Sequence, residues 1–509
     1  MTPARRRCAL ALLAAACGGA GAGGALAAAS RTESVSVLQH HAHATRDGVF
    51  VEPRLTRAAA ATLHREPAFD ATPVGWMYAQ PLYLAAAGKV PDQVIVATER
   101  NHVTAYHATT GAQLWDRVVG APVPWSKLPC GNIDPLGITG TPVIDPATRT
   151  IYLDAMTTPD GGATKQHLIF ALLADDGSIR PGWPVHPSRA VHAGGHSFQS
   201  AAQGARGALL VLGDRVYVPF GGVFGDCDPY RGWVVGVKMT DPTDVVAWTT
   251  RASGSGIWAP SGLASDGTSI YLTTGNGPVG SSFGDQEAIV RLPPSLAFSR
   301  QPVDFFAPTS WSSLDDADAD LGGTGPVVVD VPGASPARLV LAMGKDGVLY
   351  GVDRANLGGI RTAIAQKRVA SSAIINAAAA YSTARGTYVV FQGAGVGCPA
   401  GTSGNLTAVR IGAAAPPTLT VAWCADMGGH GSPAVTMTDA EGSNAIVWAV
   451  GAEGDNRLRG FDGDTGAVVF GGGGPADALT TVVRFQTPIV ARGRIFVAAR
   501  DHLFAFTTR

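Results

Sequence analysis

Val94-Ile95-Val96-Ala97-Thr98, Val103-Thr104-Ala105-Tyr106 and Thr110-Gly111-Ala112-Gln113-Leu114-Trp115 form one unit of a repeat. Ala445-Ile446-Val447-Trp448-Ala449-Val450, Leu458-Arg459-Gly460-Phe461-Asp462 and Thr465-Gly466-Ala467-Val468-Val469-Phe470 form a late copy. Alternation with a period of two marks the apolar segments as strands with one face in a core. The Thr-Gly pair marks a tight turn, because glycine takes positive φ without steric cost.

Working outward, opening strands align at Gln80-Pro81-Leu82-Tyr83, Thr141-Pro142-Val143-Ile144, Gly207-Ala208-Leu209-Leu210 and Pro260-Ser261-Gly262-Leu263. Four more lie at Gly325-Pro326-Val327-Val328, Ala377-Ala378-Ala379-Ala380, Ser432-Pro433-Ala434-Val435 and Thr487-Pro488-Ile489-Val490. A spacing of roughly 50–60 residues matches long propeller repeats. A four-stranded sheet with two apolar faces cannot bury both alone, and radial stacking of such sheets solves this. The reading is therefore all-β, an eight-bladed β-propeller, over a single domain at 30–509. The last unit is short, and Ser34-Val35-Ser36-Val37-Leu38 is expected to supply its missing strand and close the ring.

Composition fits this class. Of 509 residues, 65 are glycine and 34 proline, which favours many short strands joined by turns. The net charge of −1 offers no electrostatic footprint for nucleic acid. At the N-terminus, Arg5-Arg6-Arg7 precedes a short apolar run, Cys8 to Ala16, too short to span a bilayer. Residues 1–29 read as a signal peptide cleaved after Ala27-Ala28-Ala29. Alternatively, Leu13 to Gly18 is a degenerate lipobox, with a lipid anchor on Cys17. Either reading exports the chain, to the periplasm or beyond, with no transmembrane span. Four cysteines remain, and an even number in an oxidising compartment predicts disulfides. Cys398 and Cys424 are expected to pair locally, leaving Cys130 with Cys227.

The blade grammar resembles the repeat of pyrroloquinoline quinone (PQQ)-dependent dehydrogenases, the quinoprotein alcohol dehydrogenase-like propellers. The stretch from His40 to Thr56, with Met77 to Tyr83, is similar to a bacterial group of secreted PQQ-repeat proteins of unsettled function. Four segments are similar to the family's site in order and separation. Gly256-Ile257-Trp258-Ala259 resembles the stacking-Trp segment, and Tyr271 to Asn276 the calcium-Asn segment. Trp311 to Asp320 resembles the segment carrying the base, and Gly344-Lys345 the one carrying the carbonyl-binding lysine. The resemblance implies Trp258 and Lys345 as PQQ contacts, Asp318 as base, and Asn276 and Asp318 as calcium ligands. Such residues suit hydride abstraction from an alcohol, which needs a proton acceptor, a cation for the quinone oxygen and a flat apolar floor.

The departures weigh against that chemistry. If Arg231-Gly232 is the family's Arg-Gly pair, its calcium-binding Glu is here Cys227, and a thiol does not replace a hard oxygen ligand. Asp226 and Asp228 flank it as alternative donors. Arg206-Gly207 is a second match for a cofactor-contacting arginine. The adjacent cysteines of methanol-type enzymes are missing, and no Cys-x-x-Cys-His motif is present. Each site residue also has a structural reading: core packing for a tryptophan, a Gly-Asn-Gly turn for Asn276, a solvated loop for the aspartates, an exposed turn for Lys345. His40, His41 and His43 read as a flexible N-terminal segment. Two functions stand: a cofactor-free binding or scaffold propeller for a small molecule, envelope protein or glycan, and a PQQ/calcium-dependent oxidoreductase of alcohols, sugars or aldehydes.

Overall fold

The structure, a computed structural model, describes residues 35–227 and 229–508. The signal-peptide and lipobox readings, and Asp228, lie outside these residues. Eight largely antiparallel sheets build the blades in chain order; seven of their first strands overlap the expected segments, and the fourth begins directly after Leu263. They are Leu82–Leu84, Val143–Asp145, Leu210–Leu212, Ala264–Ser265, Val327–Asp330, Ala379–Thr383, Ala434–Met437 and Ile489–Ala491. The chain is an eight-bladed β-propeller. Blades 1 to 8 below follow that order.

The first blade shows why the sequence folds this way. Gln93–Ala97, its second strand, is buried throughout, whereas its outer strand Gln113–Val118 is largely exposed. Blade 7 repeats this, with Ile446–Val450 buried at every position. The middle strands are buried on both faces, not one, because neighbouring blades sandwich them. Apolar clusters accordingly lie between blades. One joins Leu339, Leu341 and Leu349 of blade 5 to Val389, Phe391 and Val409 of blade 6. Trp115 and Trp448 are packing residues: their indoles donate to Ala174 O and Thr436 Oγ1. The predicted Thr-Gly turn is present at Gly111, with φ of +74°. A Cβ there would come within 2.4 Å of the Asp70 carbonyl oxygen.

Closure uses the N-terminal region, though not the expected segment. His64–Arg65 pairs with Thr507 and Phe506 as the outer strand of blade 8. Glu66 and Arg494 add an ion pair at 2.8 Å. Outer strands face solvent, which suits His-Arg better than the apolar Val37. Val37 is instead fully buried against Tyr83 of blade 1.

Residues 37–52, expected to be flexible around the histidines, thread the ring of innermost strands and contact every blade. Carbonyls of Leu38, Ala44, Thr45, Asp47 and Gly48 accept from Ile144, Ser265, Val328, Ala380 and Val435. Val49–Val51 runs parallel to Val435, Thr436 and Met437. The Glu52 carboxylate accepts from Gly493 N at 2.5 Å. Arg46, fully buried, donates to Leu263 O and Leu209 O at 2.7 Å and to His40 O at 2.8 Å. First strands line the axis of a radial stack. This segment is therefore a plug in the channel.

The plug is expected to be acid-sensitive, because it buries two adjacent imidazoles, His40 and His41. Burial, reinforced by Arg46, pushes the His41 imidazole down to about 4, against the pull of its bond to the Arg46 carbonyl. A histidine whose folded value lies below its unfolded one binds its proton preferentially when unfolded. Stability is thus lost as pH falls from about 6.5 towards 4, by about 3 kcal/mol at pH 4. His41 sits at φ of +54°, a conformation asparagine tolerates. His41→Asn is expected to lose about 3 °C less thermal midpoint than the wild type between pH 7 and pH 4, at about 1 °C per kcal/mol for a chain this long. Equal pH slopes in scanning calorimetry would refute this.

Candidate functional site

Two kinds of loop meet at one mouth of the channel. The first are connections between second and third strands of a blade. They supply Asp226 and Tyr230 from blade 3, Asn276 from blade 4, Lys345 from blade 5 and Glu453 from blade 7. The second are the segments leading into a blade's first strand. They supply Tyr78, Arg206, Trp258, Asp318, Asp320, Arg484 and Phe485. These residues line a cavity of about 540 Å³. All four residues singled out from the sequence, Trp258, Asn276, Asp318 and Lys345, are among them.

The short helix Trp311–Ala317 ends at Asp318, which takes a left-handed conformation with φ of +48°. Such caps often reverse the chain at a helix C-terminus. The Lys345 ammonium lies 2.7 Å from Asp318 Oδ1 and 2.5 Å from Asp320 Oδ2. It also lies 5.6 Å from the centre of the Trp258 ring, within cation–π range. Asp318 is exposed, whereas Asp320 is buried. Burial raises the Asp320 carboxyl, although Lys345 pulls the other way. Burial lowers the Lys345 ammonium, but the two carboxylates outweigh this and leave it raised.

Behind Asn276 lies an acidic scaffold. Asp320 Oδ1 accepts from Asn276 N at 2.6 Å, and Asp315 Oδ1 from Gly277 N at 2.7 Å. Glu287, buried, accepts from Leu321 N at 2.5 Å. Burial, then the neighbouring Asp320, pushes its carboxyl well up. Gly275 is required by close approach: a Cβ would lie 2.4 Å from Asp320 Oδ1 and 2.8 Å from Trp258 Nε1. The Gly-Asn-Gly turn thus packs on the two side chains that define the cavity wall.

The opposite wall is stapled. Cys130 and Cys227 form a disulfide joining the loop before blade 2 to the second connection of blade 3, beside Gly225 of the cavity lining. Cys398 and Cys424 form the second disulfide, within blade 6. Both pairings match the sequence expectation, and two disulfides indicate an oxidising compartment. Among the described residues, no helix is long and apolar enough to cross a membrane. Asp226 accepts from the Tyr230 hydroxyl at 2.7 Å. The Arg231 guanidinium donates to the carbonyls of Thr250 and Arg251. Of the two arginines matched from the sequence, Arg206 is the one that lines the cavity.

Asp320, Tyr78, Arg484, Phe485 and Glu453 were not singled out from the sequence. The signal that finds them is the repeat register: once Lys345 is placed after a second strand, Glu453 falls in the corresponding connection two blades on.

The fold is an eight-bladed β-propeller of the kind seen in quinohemoprotein alcohol dehydrogenases and methanol dehydrogenase. No family model and no curated protein sequence matches the chain. Solved structures with this fold include the quinohemoprotein alcohol dehydrogenase of Comamonas testosteroni, at 14% identity and a TM-score of 0.62. That match covers 93% of this chain and 81% of the other. The quinohemoprotein alcohol dehydrogenase ADHIIG of Pseudomonas putida HK5 is similar at 12% identity and a TM-score of 0.63, covering 94% and 80%. A europium-containing methanol dehydrogenase is similar at 12% identity and a TM-score of 0.60, covering 93% and 98%. At such identities the likeness is one of fold.

A calcium ion at this mouth would draw on Asn276 and Asp318, both in the cavity lining. The Lys345 ammonium takes the cation position between Asp318 and Asp320, and Cys227 is committed to a disulfide. Among the described residues, no three His, Cys, Asp or Glu side chains gather as metal ligands. This donor set does not fit calcium.

Proposed function

We propose that the chain is an exported binding module, periplasmic or secreted, whose channel-mouth cavity holds a small organic ligand without a resident redox cofactor. The observation that carries this reading is the Lys345 ammonium, bonded to both Asp318 and Asp320. An aspartate tied to an ammonium is not poised to take an alcohol proton, and the cation position is filled from within the chain. The aromatic and charged lining around a single-ended cavity is what a ligand site requires.

A second reading, a PQQ-dependent oxidoreductase, is favoured by one observation: Trp258, Asn276, Asp318 and Lys345 share one mouth. In it, Trp258 would floor the quinone, Lys345 would sit by its carbonyls and Asp318 would be the base. The two are separated by incubating purified protein with PQQ and calcium, desalting, and recording the quinone absorption and dye-linked alcohol oxidation. The expected result is neither a retained band nor turnover. A retained band and turnover that disappear in Lys345→Ala and Asp318→Ala would establish the oxidoreductase instead.

A further inference from the structure

We infer that the Cys130–Cys227 disulfide is a redox latch: a dithiol that reduces it frees the cavity wall between blades 2 and 3 and opens a side entrance to the ligand site. The inference rests on the reading of the cavity as a ligand site and adds its regulation.

The wall consists of two irregular segments. Residues 119–142 lead into blade 2, and residues 223–232 connect the second and third strands of blade 3. The first segment is bonded to itself: Val123 and Leu136 exchange both backbone bonds, and Trp125 N donates to Asp134 Oδ1. The second also folds on itself, with Asp226 N donating to Val223 O and the Tyr230 hydroxyl to Asp226. Among the described residues, no hydrogen bond and no ion pair joins one segment to the other. Apart from the disulfide, their tie is a small apolar cluster of Val123, Ile133, Leu136, Met156 and Val223. The largest apolar side chains of the two segments, Trp125 and Phe224, add little to it, being 51% and 58% exposed.

A gap already lies behind this bond. A recess of about 30 Å³, room for about one water, is lined by Leu128, Gly131 and Leu136 from the first segment and by Val223 and Phe224 from the second. Ile133, Arg206, Val223 and Phe224 line both the recess and the main cavity. Parting the segments therefore joins the recess to the cavity on one side and to solvent on the other.

The sulfurs are open to attack. Both cysteines are partly exposed, and the backbone passing over them is Gly225. A Cβ there would lie 3.2 Å from Cys130 Sγ and 3.8 Å from Cys227 Sγ, so glycine leaves that face uncovered. Exposed disulfides are the ones that exchange with thiols. One thiolate of the dithiol attacks a sulfur to form a mixed disulfide, and its second thiol then displaces the protein sulfur. The protein bond takes up two electrons and two protons and becomes two thiols, while the dithiol becomes a disulfide. Asp226, beside Cys227, takes φ of +51°, a conformation costly to a residue with a Cβ, and release lets it relax.

The other disulfide holds a different kind of connection. Cys398 and Cys424 are 26 positions apart in one blade, and Cys424 is buried on the strand Thr418–Ala425. Cutting it parts no two blades. Cys130 and Cys227 are 97 positions apart and belong to the approaches of different blades.

The test treats the intact, oxidised protein with dithiothreitol under native conditions, alkylates the freed thiols and follows backbone hydrogen exchange by mass spectrometry. Cys130 and Cys227 are expected to alkylate before Cys398 and Cys424. Exchange in 119–136 and 223–232 should quicken at least about tenfold, as for a local opening, while the strands of all eight blades keep their protection. The dye 8-anilinonaphthalene-1-sulfonate should gain fluorescence as the small apolar cluster is uncovered, and reoxidation should reverse both changes. Cys130→Ser/Cys227→Ser should show the fast exchange without dithiothreitol and no response to it; the wild-type experiment decides alone if this variant does not fold. Unchanged exchange or dye signal after reduction would overturn the proposal. So would loss of protection throughout the ring, which would make the bond a structural staple, or reduction of Cys398–Cys424 first. These readouts need no ligand: their failure leaves the binding-module reading standing, whereas retained PQQ would overturn that reading and leave them as they are.

Discussion

Replacing Arg46 by methionine is expected to lower the thermal midpoint by about 3–5 °C at pH 7, corresponding to about 3–5 kcal/mol for a chain of this length. Methionine has similar reach and keeps the apolar stem packed, so the loss isolates the guanidinium. Arg46 donates to the carbonyls of His40, Leu209 and Leu263, and at 3.3 Å to Gln39 Oε1. These acceptors belong to the plug itself, to the start of blade 3 and to the start of blade 4. Removing the donor leaves three buried carbonyls unmatched, and each such group costs about 1–3 kcal/mol. The bonds also tie segments more than 150 positions apart in the chain. Arg46→Lys should show about half the loss, since an ammonium reaches fewer of these acceptors at once. A shift under 1 °C for methionine would mean that the plug is an ornament on an already closed ring.

The fold was largely legible because the repeat writes the same physical instruction eight times. Each opening strand carries a small residue or proline followed by apolar residues; seven of the eight were located, and the fourth begins directly after the expected segment. The closing strand was misplaced for a reason that periodicity cannot report. Val35 and Val37 alternate like a strand, but an outer strand of a blade is chosen by solvent exposure as much as by apolar pattern. His64-Arg65 has too short a signal to stand out, yet it suits that edge. The plug was missed for a related reason. His40, His41 and Arg46 read as polar chain, and their burial depends on acceptors from distant blades that no local pattern reveals.

The site was legible as a set of residue types and not as an arrangement. Trp258, Asn276, Asp318 and Lys345 converge as expected of loops around one axis. Their pairing was not visible: nothing in the spacing says that Lys345 reaches both Asp318 and Asp320, or that Arg484 is neutralised by Glu453 while Arg206 is not. Charge matching across blades is a property of the closed ring. It is also what separates the two readings, because the same residue types suit a quinone site or a cofactor-free ligand site according to which charges are matched within the chain.

Asp154→Ala is expected to match or exceed the loss expected on replacing Arg46, about 3–5 kcal/mol or about 3–5 °C. Asp154 lies on Thr150–Thr157 and His167 on Gln166–Leu173, the two long strands of blade 2, and both side chains are about 1% exposed. The imidazole holds Asp154 Oδ1 at 2.6 Å through Nδ1 and Gln203 O at 2.9 Å through Nε2. With an acceptor at each nitrogen, the ring is satisfied only when it carries both protons. Burial lowers His167, but the Asp154 carboxylate and the two bonds outweigh it, and its value is raised. A raised histidine contributes stability that is fully present below its unfolded value near 6.5 and is lost as pH rises through the folded value. The alanine variant leaves a buried ring with one nitrogen unpaired, and Phe198 and Phe220, edge-on to that ring, give it no polar substitute. Asp154→Asn keeps the shape and drops the charge, so its deficit should be largest at pH 6 and shrink towards pH 9. Thermal melts of the three proteins across that range decide the matter. A deficit for Asp154→Asn that does not change with pH would mean that the pair is held as a neutral hydrogen bond.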